Sequence, residues 1–258
     1  MAQLFFATSA RSAVGLQRKG NEDSALTSTQ VIAVADGMGG HAAGEIASKI
    51  AIATLAESAQ IFAKPEVDYE SADDLFLNSI YAIDDALRNS VSENPELGGM
   101  GTTLTSLFLH DNKVALLHIG DSRAYRLRGN SFEQLSVDHT VIQELLNQGA
   151  ISESEISTHP QRSVLTQVLM GEGNLELPLP IFEGKIKDRF LLCSDGLSTV
   201  LSEKEIKSLI KGKDRDQAVA SLIDATYING APDNVTVVIA DIVEEPQEDI
   251  FEKIGAAL

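Results

Sequence analysis

Apolar positions along the chain form short continuous runs in some stretches and helical periods in others, and their order predicts the layout. Residues 31–35 are an apolar run stopped by Asp36-Gly37, the pattern of a buried strand followed by a turn. Over about 44–62, Ile46, Ile50 and Leu55 recur at near-helical spacing among alanines. Over about 73–92, Phe76, Ile80, Ile83, Leu87 and Val91 fall on one helical face. The period then changes. Residues 102–109, 113–119, 124–127 and 132–135 are strand-like runs with tight connections such as Asp111-Asn112 and Gly129-Asn130, which imply antiparallel pairing. A helix at about 140–147 and a polar, irregular stretch lead to a strand at 190–193, again followed by an Asp-Gly pair, Asp195-Gly196. Helices at about 203–210 and 215–228 precede a last strand at 234–243. Helix pairs grouped between strand groups predict an α+β fold with helix-covered antiparallel sheets, not an alternating βαβ fold.

No repeat, low-complexity tract or Pro/Gly/Ser linker divides the sequence, so a single domain over residues 1–243 is expected. Glu244, Glu245, Pro246, Gln247, Glu248 and Asp249 form an acidic strip, which makes 244–258 read as a solvated tail. The 258 residues are 43% apolar, 22% charged and 5% aromatic, a globular balance large enough to bury a core without crosslinks. The single cysteine, Cys193, excludes an internal disulfide and any CxxC site, so a reducing, cytoplasmic setting is expected. The run 4–7 is too short for a signal peptide, and no window approaches the ~18–20 apolar residues of a membrane span. A net charge of −18, from 20 Lys plus Arg against 38 Asp plus Glu, opposes the counterion release that drives nucleic-acid binding. The same field repels phosphorylated substrates, so a site for one must be made locally positive by arginine or bound cations.

Asp36 and Asp195 follow apolar strands, Asp121 lies in Gly120-Asp121-Ser122 after another, Asp233 precedes the last strand, and Asp23 lies in Asn21-Glu22-Asp23. Each alone fits a turn. If the strand ends meet at one edge, the carboxylates converge and need a counterion to stay ionised. With oxygen donors only, that ion is hard, Mg²⁺ or Mn²⁺. Gly37, lacking a side chain, lets its carbonyl or the chain approach an ion closely. Two such ions about 3.5–4 Å apart can share a water, lower its pKa toward neutrality and aim it at phosphorus. Arg18 is placed to hold the phosphate, since a guanidinium grips two oxygens at once.

Three look-alikes fail. Gly37-Met38-Gly39-Gly40-His41-Ala42 mimics a dinucleotide fingerprint, but Asp36 would face the pyrophosphate and no acidic strand end follows about 20 residues on. Gly39 to Gly44 has phosphate-loop spacing, but Glu45 and Ile46 stand where Lys and Ser or Thr are required. Gly120-Asp121-Ser122-Arg123-Ala124 imitates a nucleophile elbow but leads into a strand, so Ser122 reads as structural. His41 could donate a proton to a leaving oxygen; His110, His118, His139 and His159 show no metal spacing.

Together, Arg18 with Asn21-Glu22-Asp23, Asp36-Gly37-Met38-Gly39-Gly40-His41, Gly101-Thr102-Thr103, Gly120-Asp121-Ser122-Arg123, Asp138-His139, Ser194-Asp195-Gly196 and Asp233-Asn234 resemble, in order, the motifs of metal-dependent protein phosphatases, type 2C, in their bacterial branch. The resemblance runs from about residue 5 to 243. It implies a four-layer α-β-β-α sandwich and a Ser/Thr phosphoprotein phosphatase with two Mn²⁺ or Mg²⁺ ions, attacking directly with a metal-bridging water. By it, Asp36 bridges both ions, Gly37 offers its carbonyl to one, Asp23 binds an ion directly or supports a residue that does, Asp195 and Asp233 complete the binuclear centre, and Asp121 with Asp195 forms a third, weaker site. Arg18 is the phosphate clamp, and about 145–171 is a mobile flap that influences substrate choice. Met38 departs from eukaryotic relatives, which place a histidine general acid there, so His41, a metal-bound water or solvent could serve. The partners implied are phosphorylated Ser/Thr proteins of a cognate kinase, met by a monomer. A phosphatase of anti-sigma-factor antagonists and a catalytically silent binding module are the alternatives; the latter is expected to lose ligands, and this chain keeps all of them.

Overall fold

The computed structural model describes residues 3–40, 43–64, 66–173, 175, 177–246 and 251–258. The chain opens with three strands, β1 (Phe5–Ala13), β2 (Asp23–Thr27) and β3 (Val31–Met38), then two long helices, α1 (Ala43–Phe62) and α2 (Tyr69–Glu93). Five strands follow: β4 (Gly101–Thr102), β5 (Leu104–His110), β6 (Lys113–Ile119), β7 (Arg123–Arg128) and β8 (Ser131–Gln134). After α3 (Val141–Asn147) come β9 (Ile181–Glu183), β10 (Arg189–Cys193), the one-turn α4 (Asp195–Ser198), α5 (Glu203–Ile210) and α6 (Arg215–Ile228). Strands β11 (Val235–Val243) and β12 (Glu252–Gly255) close the chain. One sheet runs β1-β11-β10-β7-β8; the other runs β12-β2-β3-β5-β6-β9, with β4 joined to β3. Every pairing is antiparallel.

Three apolar layers glue this into the expected α-β-β-α sandwich. In β3, Ile32 and Val34 face the other sheet, packed with residues such as Phe190, Leu192 and Val238. Their neighbours Val31, Ala33 and Ala35 face α1 and α2, against Ala47, Ala51 and Phe76. The third layer seats α5 and α6 on the outer face of the first sheet through Ile206, Ile210, Leu222 and Ile239. Burying an Ile or Val is worth about 1.5–3 kcal/mol, and a one-residue slip of β3 would swap its two buried faces. That register sets Asp36 directly across from Asp23.

The elements expected from pattern are present, with informative differences. The expected strand 102–109 is two, β4 and β5, because Thr103 turns its N–H to the Asp36 carbonyl at 2.9 Å and its Oγ1 to the Asp36 N–H, also at 2.9 Å. Helix α2 starts earlier than its apolar period, where Asp68 caps it by accepting from the Ser71 N–H at 3.0 Å. Strand β1 has Thr8, Ser9, Arg11 and Ser12 among its nine residues with no regular alternation, and its nine pairs with β11 do what side-chain patterning does not announce. The reading of 244–258 as a solvated tail needs correction. Residues 247–250 lie outside the described residues, but β12 pairs with β2, Ile254 packs against the inter-sheet core and the Ala256 N–H donates to the Asp23 carbonyl at 2.8 Å. A four-residue strand with two charges carries no alternation to read. The segment 145–171 is mostly irregular around a 3₁₀ turn, Glu153–Thr158, and is tied back by bridges Thr140↔Leu165 and Thr102↔Leu169.

Candidate active site

Both sheets present one end to a common cleft of ≈ 320 Å³, lined by Arg18, Asp36, Gly37, Asp121, Asp195 and Asp233. Asp23, fully buried, lies beneath it, paired with Asp36 across β2 and β3. Its Oδ2 accepts from the Ser194 hydroxyl at 2.7 Å, while Oδ1 is buried with no hydrogen-bond partner among the described residues. The backbone of Asp36 is held from both sides, its carbonyl accepting from Thr102 Oγ1 at 3.0 Å. Thr103 Oγ1 in turn shares a hydrogen bond with Ser122 Oγ at 2.8 Å.

Glycines permit the crowding. A Cβ on Gly37 would stand 1.9 Å from the Gly44 carbonyl oxygen, so β3 ends flush against the start of α1. Gly120, at φ 102°, turns the chain out of β6 to deliver Asp121, and a Cβ there would strike Thr103 at 2.5 Å. Asp195 opens α4. Asp233 accepts from the Asn234 N–H through Oδ1 at 2.8 Å and from Arg18 Nη2 through Oδ2 at 2.6 Å.

Burial dominates the titration of these acids, and their neighbours reinforce it. Asp23 is pushed up to about 7 by burial, partly offset by the Ser194 hydroxyl. Asp121 is also pushed up to about 7 by burial and then by Asp195 and Asp138. Asp36 rises well above the carboxylate range through burial and then Asp23, Asp195, Asp121 and Asp233. Asp195 rises through burial and Asp233, with a hydrogen bond to Asp36 acting the other way. Arg18 alone does not balance these acids, and the missing positive charge is what a divalent cation supplies.

The donor set fits such an ion: all oxygen, several acids destabilised as anions, and an orphaned Asp23 Oδ1. Among the described residues no three His, Cys, Asp or Glu side chains are gathered closely enough to hold an ion between them. Mg²⁺-like ions keep several waters and use only one or two carboxylates each, so an open arrangement suits them.

Sequence reasoning missed the residues that aim the acids. Asn234 accepts from the Glu22 N–H at 2.8 Å and donates through Nδ2 to the Val14 and Gly20 carbonyls, both at 2.8 Å, fixing the loop that carries Arg18. Thr102, Thr103 and Ser194 hold Asp36 and Asp23, and Ser163 and Leu165 of the 145–171 segment reach the cleft rim. For Thr102, Thr103, Ser194 and Asn234 the signal available was their membership of the short motifs that carry the resemblance, which did not say what they hold. Asp138 is engaged by Arg123 through Nε at 3.0 Å and Nη2 at 2.6 Å. Ser122 is buried and structural, and its segment continues into β7 as expected. His41 lies outside the described residues.

A helix-covered double sheet with an all-oxygen acidic cleft at one end places the chain in the class of α-β-β-α sandwiches that its motifs resemble. The family model described as Protein phosphatase 2C matches residues 20–227, and the chain belongs to that family. The serine/threonine protein phosphatase PstP of Mycobacterium tuberculosis is 41% identical over 238 residues, 91% of this chain and 45% of that protein, so this chain spans about half the length of that curated relative. The serine/threonine phosphatase stp of Listeria welshimeri is 32% identical over 217 residues, covering 82% of this chain and 84% of its own. The crystal structure of the PstP catalytic domain in complex with two manganese ions superposes with a TM-score of 0.84 at 38% identity, over 93% of this chain and 100% of that one.

Proposed function

We propose that this chain is a metal-dependent serine/threonine phosphoprotein phosphatase that hydrolyses phosphoesters without a covalent intermediate. The observation that carries the reading is the meeting of Asp36, Asp121, Asp195 and Asp233, from distant segments, in one cleft with Arg18 and above Asp23. Asp23, Asp36, Asp195 and Asp233, with the Gly37 carbonyl, would hold two Mn²⁺ or Mg²⁺ ions, and Asp121 with Asp195 a third. Bound there, the ions would acidify water and offset the charge of a transferring phosphoryl group.

The chain's own residues do the rest. Arg18, with its side chain 49% exposed and one nitrogen on Asp233, can swing a guanidinium edge to two phosphate oxygens. Candidate side-chain nucleophiles are disqualified. Ser122 is buried against Thr103, and burial pushes the Cys193 thiol up to about 12. Ser163, at the rim, has no basic partner within hydrogen-bonding reach among the described residues. None of these is an activated nucleophile, which supports water as the attacking group. The retained acids argue against a silent binding module, and the relatives' descriptions favour general Ser/Thr dephosphorylation over anti-sigma-factor antagonists.

Phosphorylated Ser/Thr proteins of a cognate kinase, a monomeric state and a cytoplasmic setting belong to the same proposal. No helix among the described residues is long and apolar enough to cross a membrane. The test is hydrolysis of phosphoserine, phosphothreonine and phosphotyrosine peptides with EDTA, then with Mn²⁺ or Mg²⁺ restored. Turnover of the first two, abolished by chelation and recovered with either ion, is expected; turnover indifferent to EDTA would overturn the reading.

A further inference from the structure

A second concavity, ≈ 660 Å³, lies at the end of the five-stranded sheet opposite the cleft. Arg189 starts β10 and Cys193 ends it beside Asp195, so at about 3.3 Å per residue the two sites lie roughly 15–20 Å apart along the strand. In a chain with net charge −18, this groove is lined by Lys187, Arg189, Lys211, Lys213 and Arg215 against only Asp241 and Glu244.

The cations are not equivalent. Arg189 is a structural pin, with Nε and Nη2 on Asp241 at 2.6 and 2.8 Å and Nη1 on the carbonyls of Ile210 and Lys213 at 2.7 and 2.8 Å. It fastens the α5–α6 turn to the sheet and uses up most of Asp241. Arg215 is left with one long contact to Asp241, 3.4 Å, and its Nε is buried without an acceptor among the described residues. The guanidinium, 26% exposed, is therefore only partly neutralised and keeps charge to offer to an incoming oxyanion. Lys213 donates to Ser221 and Lys211 to Asn130, so neither charge meets a carboxylate there. Lys187 is exposed and held at φ 73°, a conformation that L residues seldom adopt, in the turn that projects it at the rim.

We propose that this groove is a docking site for an acidic, extended segment of the phosphoprotein substrate, separate from the catalytic cleft; the role rests on the phosphatase reading. Carboxylates would pair with Lys187, Lys211 and Arg215 while the tethered phosphoresidue reaches the cleft, raising its effective concentration there. Positive charge displayed away from the chemistry, on an otherwise acidic surface, also excludes basic segments.

The test uses a fluorescein-labelled hexaglutamate peptide without phosphate, read by anisotropy, against the wild type and Lys187→Glu/Lys211→Glu. Both substituted side chains are exposed, and circular dichroism checks the fold. Binding should weaken about tenfold or more in the variant, and in the wild type on going from about 0.1 to about 1 M salt. p-Nitrophenyl phosphate turnover should stay within about twofold, while KM for a phosphothreonine peptide carrying the same acidic run on a flexible linker rises about tenfold. Equal peptide binding by both proteins, or competitive inhibition of p-nitrophenyl phosphate hydrolysis by the unphosphorylated peptide, would overturn the docking site. Should the wild type hydrolyse neither substrate, the phosphatase reading fails while the binding comparison still judges the groove.

Discussion

The Ser194 hydroxyl donates to Asp23 Oδ2 at 2.7 Å, joining residues 171 positions apart and linking the two sheets at the cleft floor. Ser194 also accepts from the Thr236 N–H at 3.0 Å, so one hydroxyl satisfies two buried groups. In Ser194→Ala both lose their partner, at about 1–3 kcal/mol of stability. A lowered urea midpoint with an unchanged m-value is expected, together with weaker activation by Mn²⁺. A wild-type midpoint would show that water replaces the hydroxyl without loss.

Asp36→Asn tests the central acid. The amide preserves shape and the backbone contacts to Thr102 and Thr103, so the fold should persist. It removes the charge that would face both ions, and an effect of several kcal/mol corresponds to a fall in kcat of about 10²–10³-fold or more. Arg18→Ala should mainly raise KM for p-nitrophenyl phosphate, because the guanidinium grips ground state and transition state alike. Near-normal turnover in the first variant, or an unchanged KM in the second, would remove that residue from the site.

Legibility followed burial. Strand β3 alternates between two apolar environments, so 31–35 could be read directly; Asp36-Gly37, expected as a turn, is instead strand that runs on to Met38, because Gly37 and Met38 pair with β4. Strand β1 could not be read, because its partner β11 supplies the apolar side of the pairing. β12 is held by pairing with β2 and by Gly255, where a Cβ would stand 2.3 Å from the Asp23 carbonyl oxygen. The acids of the cleft were legible as turn residues at strand ends. Their convergence was not, since it depends on which ends of two sheets coincide. The supporting hydroxyls and amide of Thr103, Ser194 and Asn234 stand in the motifs that carry the resemblance, but what each holds is set by partners distant in sequence and exists only across the cleft.

The raised acids give a pH signature. A carboxyl whose folded pKa exceeds its unfolded value binds more protons folded than unfolded, so its contribution to stability falls as pH rises between the two values. For Asp23 and Asp121 that window runs from 3.8 to about 7. His118, pushed down to about 4 by burial and by His139, acts oppositely between 6.5 and 4, one imidazole against several carboxyls. In EDTA, Asp121→Asn should therefore be more stable than the wild type, by on the order of 1 kcal/mol more at about pH 7.5 than at about pH 5. Mn²⁺ should shrink that advantage. A pH-independent difference in urea denaturation would show that Asp121 is solvated well enough to titrate normally.

Asp84, 3% exposed on α2, controls the segment beside the cleft from behind. Its carboxylate accepts from the N–H groups of Gly171 and Gly173, both at 2.8 Å, and from Arg88 Nη2 at 2.8 Å, while Arg88 Nε donates to the Gly171 carbonyl at 2.7 Å. Gly171 sits at φ 79°, with Arg88 where a Cβ would point. Two residues earlier, Leu169 exchanges backbone hydrogen bonds with Thr102 at 2.9 and 3.0 Å, and Thr102 holds the Asp36 carbonyl. The far end of the 145–171 segment is thus anchored to α2 and abuts β4, the short strand whose Thr102 holds the central acid's carbonyl. Asp84→Asn keeps the volume but presents an NH₂ to one of these donors, at about 1–3 kcal/mol. Trypsin should cut the native variant faster than the wild type at Arg162, within this segment, and KM for phosphopeptides should rise more than for p-nitrophenyl phosphate. Unchanged cleavage with a lowered urea midpoint would confine Asp84 to stability and leave the segment's position to its Thr102 and Thr140 bridges.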